Sequence, residues 1–290
     1  MSAKIIDGVA VAREIRAKSA REVAALARVT GVVPGLAVIT VGDNAASAIY
    51  VRNKIAACKE VGIRSELHQF DKDVVPAILL ERIGELNRDP TLHGILVQLP
   101  LPPTIEVGTV LRAIDPEKDV DGFHLYNVGG LVIGDTVFPP CKPFGVVRLL
   151  EHENIMLEGQ NVGASNIVGK PMALMLMQRD ATVCICHAKT RDLAQFTILA
   201  DILVVAAGQP NLILPQMVKT SAVVIDVGIN RLPSGRLVGD VDFEGVRKKA
   251  SHITPVPGGV GPMTVTMLLA NTIRSAERTI KKTAIKEVIG

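Results

Sequence analysis

Three side chains that could move protons are spaced along one predicted helical segment. Ser47, Tyr50 and Lys54 lie three and four residues apart in the stretch VGDNAASAIYVRNK. On a helix this spacing places a hydroxyl, a phenol and an amine on one face, where they could handle protons during a reaction. An amphipathic helix with a half-packed tyrosine and a solvated lysine would show the same spacing, so the row alone leaves both interpretations open.

Lys54 is the candidate general base of this row. A lysine acts as a base only after it has lost its proton, and burial favours that loss because it lowers the pKa of the amine. Gln98, in the segment VQLPLP, ends a predicted strand and could fix the lysine with a hydrogen bond. A glutamine at a strand end also commonly satisfies loop backbone, and this second interpretation stays open.

A glycine- and proline-rich segment from Pro255 to Thr264, PVPGGVGPMT, could hold a flat ligand against the main chain. Its glycines allow a close approach or a positive φ, and its prolines stiffen the loop and remove amide donors. The same composition suits a rigid connection between a strand and a helix, so composition alone does not decide between the two.

The segment from Gly163 to Gly169, GASNIVG, predicts a loop between a strand and a helix that begins at Lys170-Pro171. The N terminus of such a helix offers free N–H groups and a positive dipole end to a pyrophosphate, and Pro171 suits the first helical turn. The segment lacks the full GxGxxG pattern, so it favours dinucleotide binding only inside an alternating strand–helix domain.

The elements that must position these residues alternate between helices and strands. The alternation predicts an α/β fold of parallel sheets covered by helices, and FPPCKP at 138–143 marks the boundary between two domains. The predicted helices cover residues 10–28, 48–61, 75–87 and 263–282. The predicted strands cover residues 36–41, 65–70, 94–99, 183–186, 202–205 and 223–227.

Composition is that of a globular protein with two domains. The 290 residues are 48% hydrophobic and 21% charged, enough for two cores, and a net charge of +3 is too small to indicate nucleic-acid binding. We expect no membrane span, since no apolar run approaches 18 residues, and MSAKIIDG lacks a signal-peptide pattern. The four cysteines form no zinc pattern, so we expect reduced thiols and a cytoplasmic location.

Seven motifs in chain order resemble one family almost from end to end. They are KIIDG (4–8), the Ser47/Tyr50/Lys54 segment, GILVQLPLP (94–102), KDVDGFH (118–124), GASNIVGKPM (163–172), VIDVGIN (224–230) and PVPGGVGPMT (255–264). The chain resembles the bifunctional methylenetetrahydrofolate dehydrogenase/cyclohydrolase family. The resemblance implies an N-terminal βα catalytic domain over 1–140 and a Rossmann-type NADP-binding domain over 141–262. It also implies a C-terminal helix (263–290) that packs back on the first domain, and a homodimer.

The same resemblance implies an activity and a substrate site. The enzyme would oxidise 5,10-methylenetetrahydrofolate with NADP+ and hydrolyse the methenyl product to 10-formyltetrahydrofolate. Lys54 would activate water, Gln98 would tune it, Tyr50 would stack on the aminobenzoyl ring, and Asp121 would orient the pterin with a bidentate hydrogen bond. The remaining substrate contacts that it implies are Leu99, Pro257, Gly258 and Gly261.

The NADP site is also implied by the resemblance. Relatives often carry a serine or arginine where Ala188 stands, and some carry an arginine where Ala164 stands, so we expect Lys189 or Arg191 to contact the 2′-phosphate instead. Both could equally be solvated surface charges, and this second interpretation stays open. Lys142 is a further departure, because relatives usually have threonine there. The cofactor contacts that the resemblance implies are Cys141, Gly163, Ala164, Ser165, Ile167, His187, Ala188, Lys189, Ile229 and Thr264.

One local feature disagrees with the expected fold. Only Gly159-Gln160-Asn161-Val162 precedes Gly163, whereas relatives typically carry a few more apolar residues there. Either the strand is truncated or the sequence lacks residues, and we favour the second explanation. A domain without this strand should fold poorly, because each lost buried side chain removes roughly 1.5–3 kcal/mol.

Three other functions remain as alternatives. A monofunctional dehydrogenase on the same fold is the nearest, although Lys54 with Gln98 argues against it. A shikimate-type dehydrogenase would not explain PVPGGVGPMT. An inactive binding module is favoured only by the short strand before Gly163.

Overall fold

The computed structural model describes residues 2–289, without the side chains of 45–46, 164–168 and 285–289. Its strands are β1 (Lys4–Ile5), β2 (Gly35–Val41), β3 (Arg64–Phe70), β4 (Gly94–Val97), β5 (Asn161–Ser165), β6 (Thr182–Cys186), β7 (Ile202–Val205), β8 (Val223–Asp226), β9 (Asn230–Arg231), β10 (Leu237–Val238) and β11 (His252–Ile253). Its α-helices are α1 (Gly8–Thr30), α2 (Ala45–Val61), α3 (Pro76–Arg88), α4 (Val107–Ala113), α5 (Leu125–Ile133), α6 (Cys141–His152), α7 (Asn166–Met177), α8 (Leu193–Thr197), α9 (Phe243–Arg247) and α10 (Val260–Ile289). The predicted α/β alternation is confirmed.

The chain forms two compact units that each contain a parallel sheet. The three-stranded unit consists of Glu14–Cys141 and Val265–Gly290, and the six-stranded unit consists of Met1–Arg13 and Lys142–Thr264. The limits expected from the sequence for the catalytic domain (1–140 with 263–290) and the NADP-binding domain (141–262) stay a prediction.

The three-stranded unit has the strand order β3-β2-β4, with all pairs parallel. Strand β2 is buried along almost its whole length, because it lies between its two neighbours and helices cover it, as expected for a central parallel strand. Helix α2 ends where the sequence predicts, since Gly62 adopts φ +83° and its N–H donates to the Cys58 carbonyl, which satisfies a terminal carbonyl.

The C-terminal helix α10 packs on the three-stranded unit, as predicted. Buried Asn271 donates from Nδ2 to the carbonyls of Val120 (2.8 Å) and Pro139 (3.1 Å). Ser275 Oγ donates to the Glu117 carbonyl at 2.9 Å. These bonds satisfy carbonyls of the segment that carries Asp121 and so fix that segment against the helix.

The six-stranded unit is Rossmann-type, as predicted. Its strand order is β1-β11-β8-β7-β5-β6, and its pairs are parallel. The chain leaves β5 to form β6 on one side and then crosses to form β7 on the other. Ligands of such sheets bind beyond the carboxyl ends of the strands at this reversal.

Strand β5 corrects the prediction for the segment that begins at Gly163. All five residues from Asn161 to Ser165 pair with β6, and α7 begins at the next residue, Asn166. The predicted loop and the predicted helix start at Lys170 are therefore wrong, and Pro171 lies inside the helix. The physical reason is that the backbone groups of β6 and β7 both need hydrogen-bond partners. Because the segment is short, Gly163–Ser165 supply these partners as part of the strand.

Candidate active site

The Lys54 amine and the Gln98 amide meet, as the sequence predicts. Helix α2 carries Lys54, and Lys54 Nζ donates to Gln98 Oε1 at 2.9 Å. Gln98 follows β4 directly, and its backbone N–H continues the sheet by donating to the Ile39 carbonyl at 2.9 Å. Its Nε2 donates to the Leu99 carbonyl at 2.7 Å. The amide is thus held with its oxygen towards the lysine.

Burial favours the neutral form of Lys54. The side chain is only partly accessible, and desolvation lowers the pKa of its amine below the usual lysine range. The negative charge of the Asp121 carboxylate opposes this by raising the pKa, but it is the smaller effect. A lysine with a lowered pKa can accept a proton in the range where an ordinary lysine is fully charged.

Asp121 and Cys141 lie beside this lysine. The backbone N–H of Cys141 donates to the Asp121 carbonyl at 3.3 Å, and the thiol donates to the Val120 carbonyl at 3.3 Å. Burial raises the pKa of the Cys141 thiol well above its usual range, and the Asp121 carboxylate raises it further. Cys141 therefore stays a thiol and contributes packing rather than a nucleophile.

Asp119 holds the turn that presents Asp121. Its carboxylate is buried and accepts from the backbone N–H groups of Phe123 (3.3 Å) and His124 (2.8 Å). It also accepts from Asn127 Nδ2 at 2.8 Å. With both oxygens engaged, Asp119 has a structural role, as the sequence suggested, and Asp121 is the carboxylate whose charge raises the pKa of Lys54.

Tyr50 and Leu99 provide apolar surface near the lysine. Tyr50 lies one turn before Lys54 on α2 and is 47% exposed, and Leu99 is 38% exposed. Both could contact the flat part of a ligand. Ser47 belongs to the first turn of α2, and its backbone N–H donates to the Asn44 cap at 3.0 Å.

The PVPGGVGPMT segment lies in the six-stranded unit and ends in α10. Gly258 has φ +104°, a conformation that side chains disfavour. Gly259 packs so tightly on Gly8 that a Cβ at Gly8 would lie 1.7 Å from the Gly259 oxygen. The positive φ that the sequence allows is therefore present at Gly258, and the close approach of this backbone to a ligand stays a prediction. Pro257 is exposed, and Gly261 lies in the first turn of the helix.

A cavity of about 450 Å³ lies at the carboxyl ends of β5, β6 and β7. This is the reversal point of the strand order, and the apolar floor with a few polar groups suits the base and ribose of a nucleotide. Its wall includes Gly163, Cys186, His187, Ala188, Thr190, Arg191, Leu203 and Ala207.

The other predicted cofactor residues are distributed around the six-stranded unit. Lys189 and Arg191 are exposed after β6, Ile229 is 47% exposed after β8, and Thr264 lies in α10. Thr264 Oγ1 is buried with no hydrogen-bond partner among the residues whose side chains are described, so it could serve a ligand. The side chains of Ala164, Ser165 and Ile167 lie outside the described residues.

The residues present fit one end of a dinucleotide better than its centre. The cavity and the exposed cations after β6 suit an adenosine with a phosphate. A pyrophosphate needs a turn whose N–H groups and missing side chains admit it. Here Gly163 is two residues inside β5, and Ser165 connects directly to Asn166 of α7, so the described backbone does not form that turn.

The sequence did not reveal the role of Asp240. Its carboxylate accepts from the N–H groups of Ala207 (2.6 Å) and Gly208 (2.9 Å) and from Asn230 Nδ2 (2.7 Å), and so shapes the loop after β7. Asp226 in turn accepts from the Asp240 N–H at 3.0 Å, and burial raises the pKa of Asp226 to about 6. In the sequence, only the two aspartates of VGDVD (238–242) could have indicated this role.

Three further properties bear on the kind of protein this is. Among the residues described, no group of three or more histidines, cysteines or acidic residues could hold a metal ion. No helix in the described part of the chain is long and apolar enough to span a bilayer. Cys58, Cys141, Cys184 and Cys186 are all free thiols.

Comparison with known proteins gives matches over nearly the whole chain. The family models "Tetrahydrofolate dehydrogenase/cyclohydrolase, catalytic domain" and "Tetrahydrofolate dehydrogenase/cyclohydrolase, NAD(P)-binding domain" match residues 6–121 and 140–280. The bifunctional protein FolD of Nitrosospira multiformis is 59% identical over 281 residues, covering 96% of this chain and 97% of its own. That of Paraburkholderia phytofirmans is 57% identical, covering 96% and 98%.

Solved structures agree with these matches. The crystal structure of bifunctional FolD from Campylobacter jejuni has a TM-score of 0.94 at 49% identity, covering 96% of this chain and 99% of that one. The Trypanosoma brucei enzyme, complexed with NADP cofactor and inhibitor, has a TM-score of 0.92 at 40% identity, covering 97% and 99%.

Proposed function

The chain belongs to the tetrahydrofolate dehydrogenase/cyclohydrolase family, and from this premise we propose that the arrangement around Lys54 performs the second of two linked reactions. The enzyme oxidises 5,10-methylenetetrahydrofolate with NADP+ to the 5,10-methenyl cation. It then hydrolyses that cation to 10-formyltetrahydrofolate. The observation that carries the proposal is the 2.9 Å bond from Lys54 Nζ to Gln98 Oε1, at a lysine whose pKa burial lowers.

The hydrolysis needs a group that takes and returns a proton. Water adds to the methenyl carbon, and neutral Lys54 accepts the proton that the water loses. The C–N5 bond then breaks, N5 receives a proton from the Lys54 ammonium, and the carbinol oxygen loses its proton to become the formyl oxygen. The net reaction releases one proton. Gln98 accepts a hydrogen bond from the amine and so holds it in one place during both transfers.

The neighbours of Lys54 suit a folate. Asp121 has a carboxylate that could accept two N–H groups of the pterin, a charge-assisted and directional pair. Tyr50 offers an exposed ring to the aminobenzoyl group, and Leu99 adds apolar contact. Pro257, Gly258 and Gly261 are assigned as further substrate contacts because they belong to the stiff, side-chain-poor segment.

NADP is the cofactor, and it supplies the hydride acceptor for the oxidation. The residues assigned to it are those around the cavity of the six-stranded unit, with His187, Ala188, Ile229 and Thr264, and the resemblance adds Cys141. Lys189 and Arg191 are the cations available to the 2′-phosphate, because Ala188 brings no donor. The described backbone between β5 and α7 forms no turn for the pyrophosphate.

The assembly is a homodimer in the cytoplasm under this proposal. Strand β6 is at the edge of the six-stranded sheet, where Ile185 is 42% exposed, and Leu199 beyond α8 is 64% exposed. An apolar sheet edge of this kind is a suitable surface for a second copy. Four free thiols suit a reducing compartment. Sedimentation velocity tests the dimer.

One assay separates this function from its rivals. The protein is mixed with methylenetetrahydrofolate and NADP+ or NAD+, and methenyl formation and decay are followed by absorbance. We expect methenyl to form and then decay faster than in buffer. Accumulation without enzyme-dependent decay would indicate a monofunctional dehydrogenase, and neither formation nor decay of added methenyl would indicate an inactive module.

A further inference from the structure

The junction between β5 and α7 leaves no turn for a pyrophosphate. The carboxyl end of β5 is the position where a Rossmann sheet binds the phosphates, using turn N–H groups that are free of sheet pairing and a glycine that lets the phosphate come close. In this chain Ser165 is the last residue of β5 and Asn166 the first of α7. The glycine of the segment, Gly163, lies inside the strand.

The residues that could form the turn are engaged in the sheet. Gly163, Ala164 and Ser165 pair with Cys184, Ile185 and Cys186 of β6. On the other side Gly163 and Ala164 pair with Leu203 and Val204 of β7. Gly163 is also enclosed, since a Cβ there would lie 3.1 Å from Leu203 Cδ1. Their backbone groups are therefore not available to a ligand while the strand is intact.

Pro171 indicates a second arrangement of the same segment. It occupies the sixth position of α7, counted from Asn166, where its ring removes one helical hydrogen bond. If Gly163–Ser165 left the sheet and the helix began near Lys170, the proline would lie in the first turn, where it is favoured. The proline is thus better placed in the arrangement that also frees the turn.

We infer that NADP binding to this chain requires the last three residues of β5 to leave the sheet, so that the nucleotide is held weakly and cyclohydrolase is the dominant activity. The inference rests on the proposed two-step function. Binding must break the pairs of these residues with both β6 and β7, whereas Lys54 and Gln98 lie in the three-stranded unit and need no nucleotide. The apparent affinity for a ligand is reduced to the fraction of molecules that are in the state able to bind it.

The register of the sheet gives the decisive variant. Strand β6 offers five positions, and Asn161 and Val162 fill the first two. Inserting Val-Val-Ile between Val162 and Gly163 would fill the other three with apolar residues and release Gly163–Ser165 as a turn. As a matched control, Ser-Gly-Ser is inserted after Gly235, an exposed residue of the β9–β10 hairpin.

NADP+ affinity is measured by calorimetry, and hydrolysis of added methenyltetrahydrofolate is measured without nucleotide. We expect the β5 insertion to lower the Kd for NADP+ at least tenfold, the hairpin insertion to leave it unchanged, and all three proteins to hydrolyse methenyltetrahydrofolate equally. Loss of hydrolysis in every protein would overturn the proposed function instead. An unchanged or higher Kd in a folded insertion variant, as judged by thermal melting, would overturn this inference.

Hydrogen exchange on the unaltered chain decides the matter if the insertion variant fails to fold. Saturating NADP+ should make the amides of 184–186 in β6 exchange faster, because β6 is an edge strand that loses its pairing with Gly163–Ser165, while the amides of β2 stay protected. Unchanged protection of these β6 amides in the NADP+ complex would show that β5 stays paired, and the inference would then be wrong.

Discussion

Replacing Lys54 with methionine tests the chemistry most directly. Methionine keeps an unbranched stem of similar length, so the packing of α2 is retained while the amine is lost. Removal of a general base typically costs 10²–10⁴ in rate, which corresponds to about 2.7–5.5 kcal/mol of barrier. The bond to Gln98 also disappears, but Gln98 is only half-buried, so water can replace the donor. We therefore expect folate affinity to change by less than tenfold, or about 1.4 kcal/mol.

The assay follows the decay of methenyl absorbance at neutral pH, with added methenyltetrahydrofolate and no nucleotide. Lys59→Met is the matched control, because Lys59 lies on the same helix with an exposed side chain, and it should behave as the unaltered protein. Folate binding is measured in parallel by calorimetry. If the Lys54→Met variant still accelerates hydrolysis as the control does, Lys54 does not carry the proton and the assignment of the reaction to this site fails.

Three further outcomes are expected. Asp121→Asn should shift the rising limb of the cyclohydrolase kcat–pH profile to lower pH, because the Asp121 charge raises the pKa of Lys54 and its loss favours the neutral amine. It should also weaken folate binding by roughly 1.5–3 kcal/mol, and an unmoved profile would refute the coupling. The double variant Lys189→Ala, Arg191→Ala should lose preference for NADP+ over NAD+ in kcat/KM, a preference that salt should also weaken; an unchanged ratio would show that neither cation contacts the 2′-phosphate. Asn271→Leu should destabilise the protein to urea by roughly 1–3 kcal/mol, because the Pro139 carbonyl loses its donor while the Val120 carbonyl keeps the Cys141 thiol; an unchanged unfolding midpoint would contradict this.

The parts of the site that follow from local periodicity could be predicted from the sequence. The spacing of Tyr50 and Lys54 defines one face of α2, and the apolar run before Gln98 is a buried strand. Both elements could therefore be predicted, together with the polar side chains of Lys54 and Gln98. Their meeting at 2.9 Å was predicted as a hydrogen bond and is confirmed. The catalytic roles of these residues, like those of the folate and nucleotide contacts, stay predictions that the variants above test.

The parts that depend on distant pairing could not be predicted. Strand β1 is only Lys4–Ile5, and it is a strand because it pairs with His252 and Ile253 near the other end of the chain. The contact of Asp121 with Cys141 joins a turn to the first residue of α6, and the use of Asp240 by the loop after β7 joins two irregular segments. No local pattern carries such information, because each depends on which backbone groups remain unsatisfied after the sheet has formed.

Strand β5 shows which demand prevails when local and distant requirements conflict. Locally, Gly163 favours a turn, and placing a glycine inside a strand costs roughly 0.5–1 kcal/mol. The sheet, however, has β6 on one side of this position and β7 on the other, and a missing partner would leave several buried N–H and carbonyl groups unsatisfied, each costing roughly 1–3 kcal/mol. Pairing therefore outweighs the turn, and the domain keeps its central strand although Asn161 and Val162 alone could not form it. The consequence falls on function, because the residues that complete the sheet are the same ones that a pyrophosphate would need.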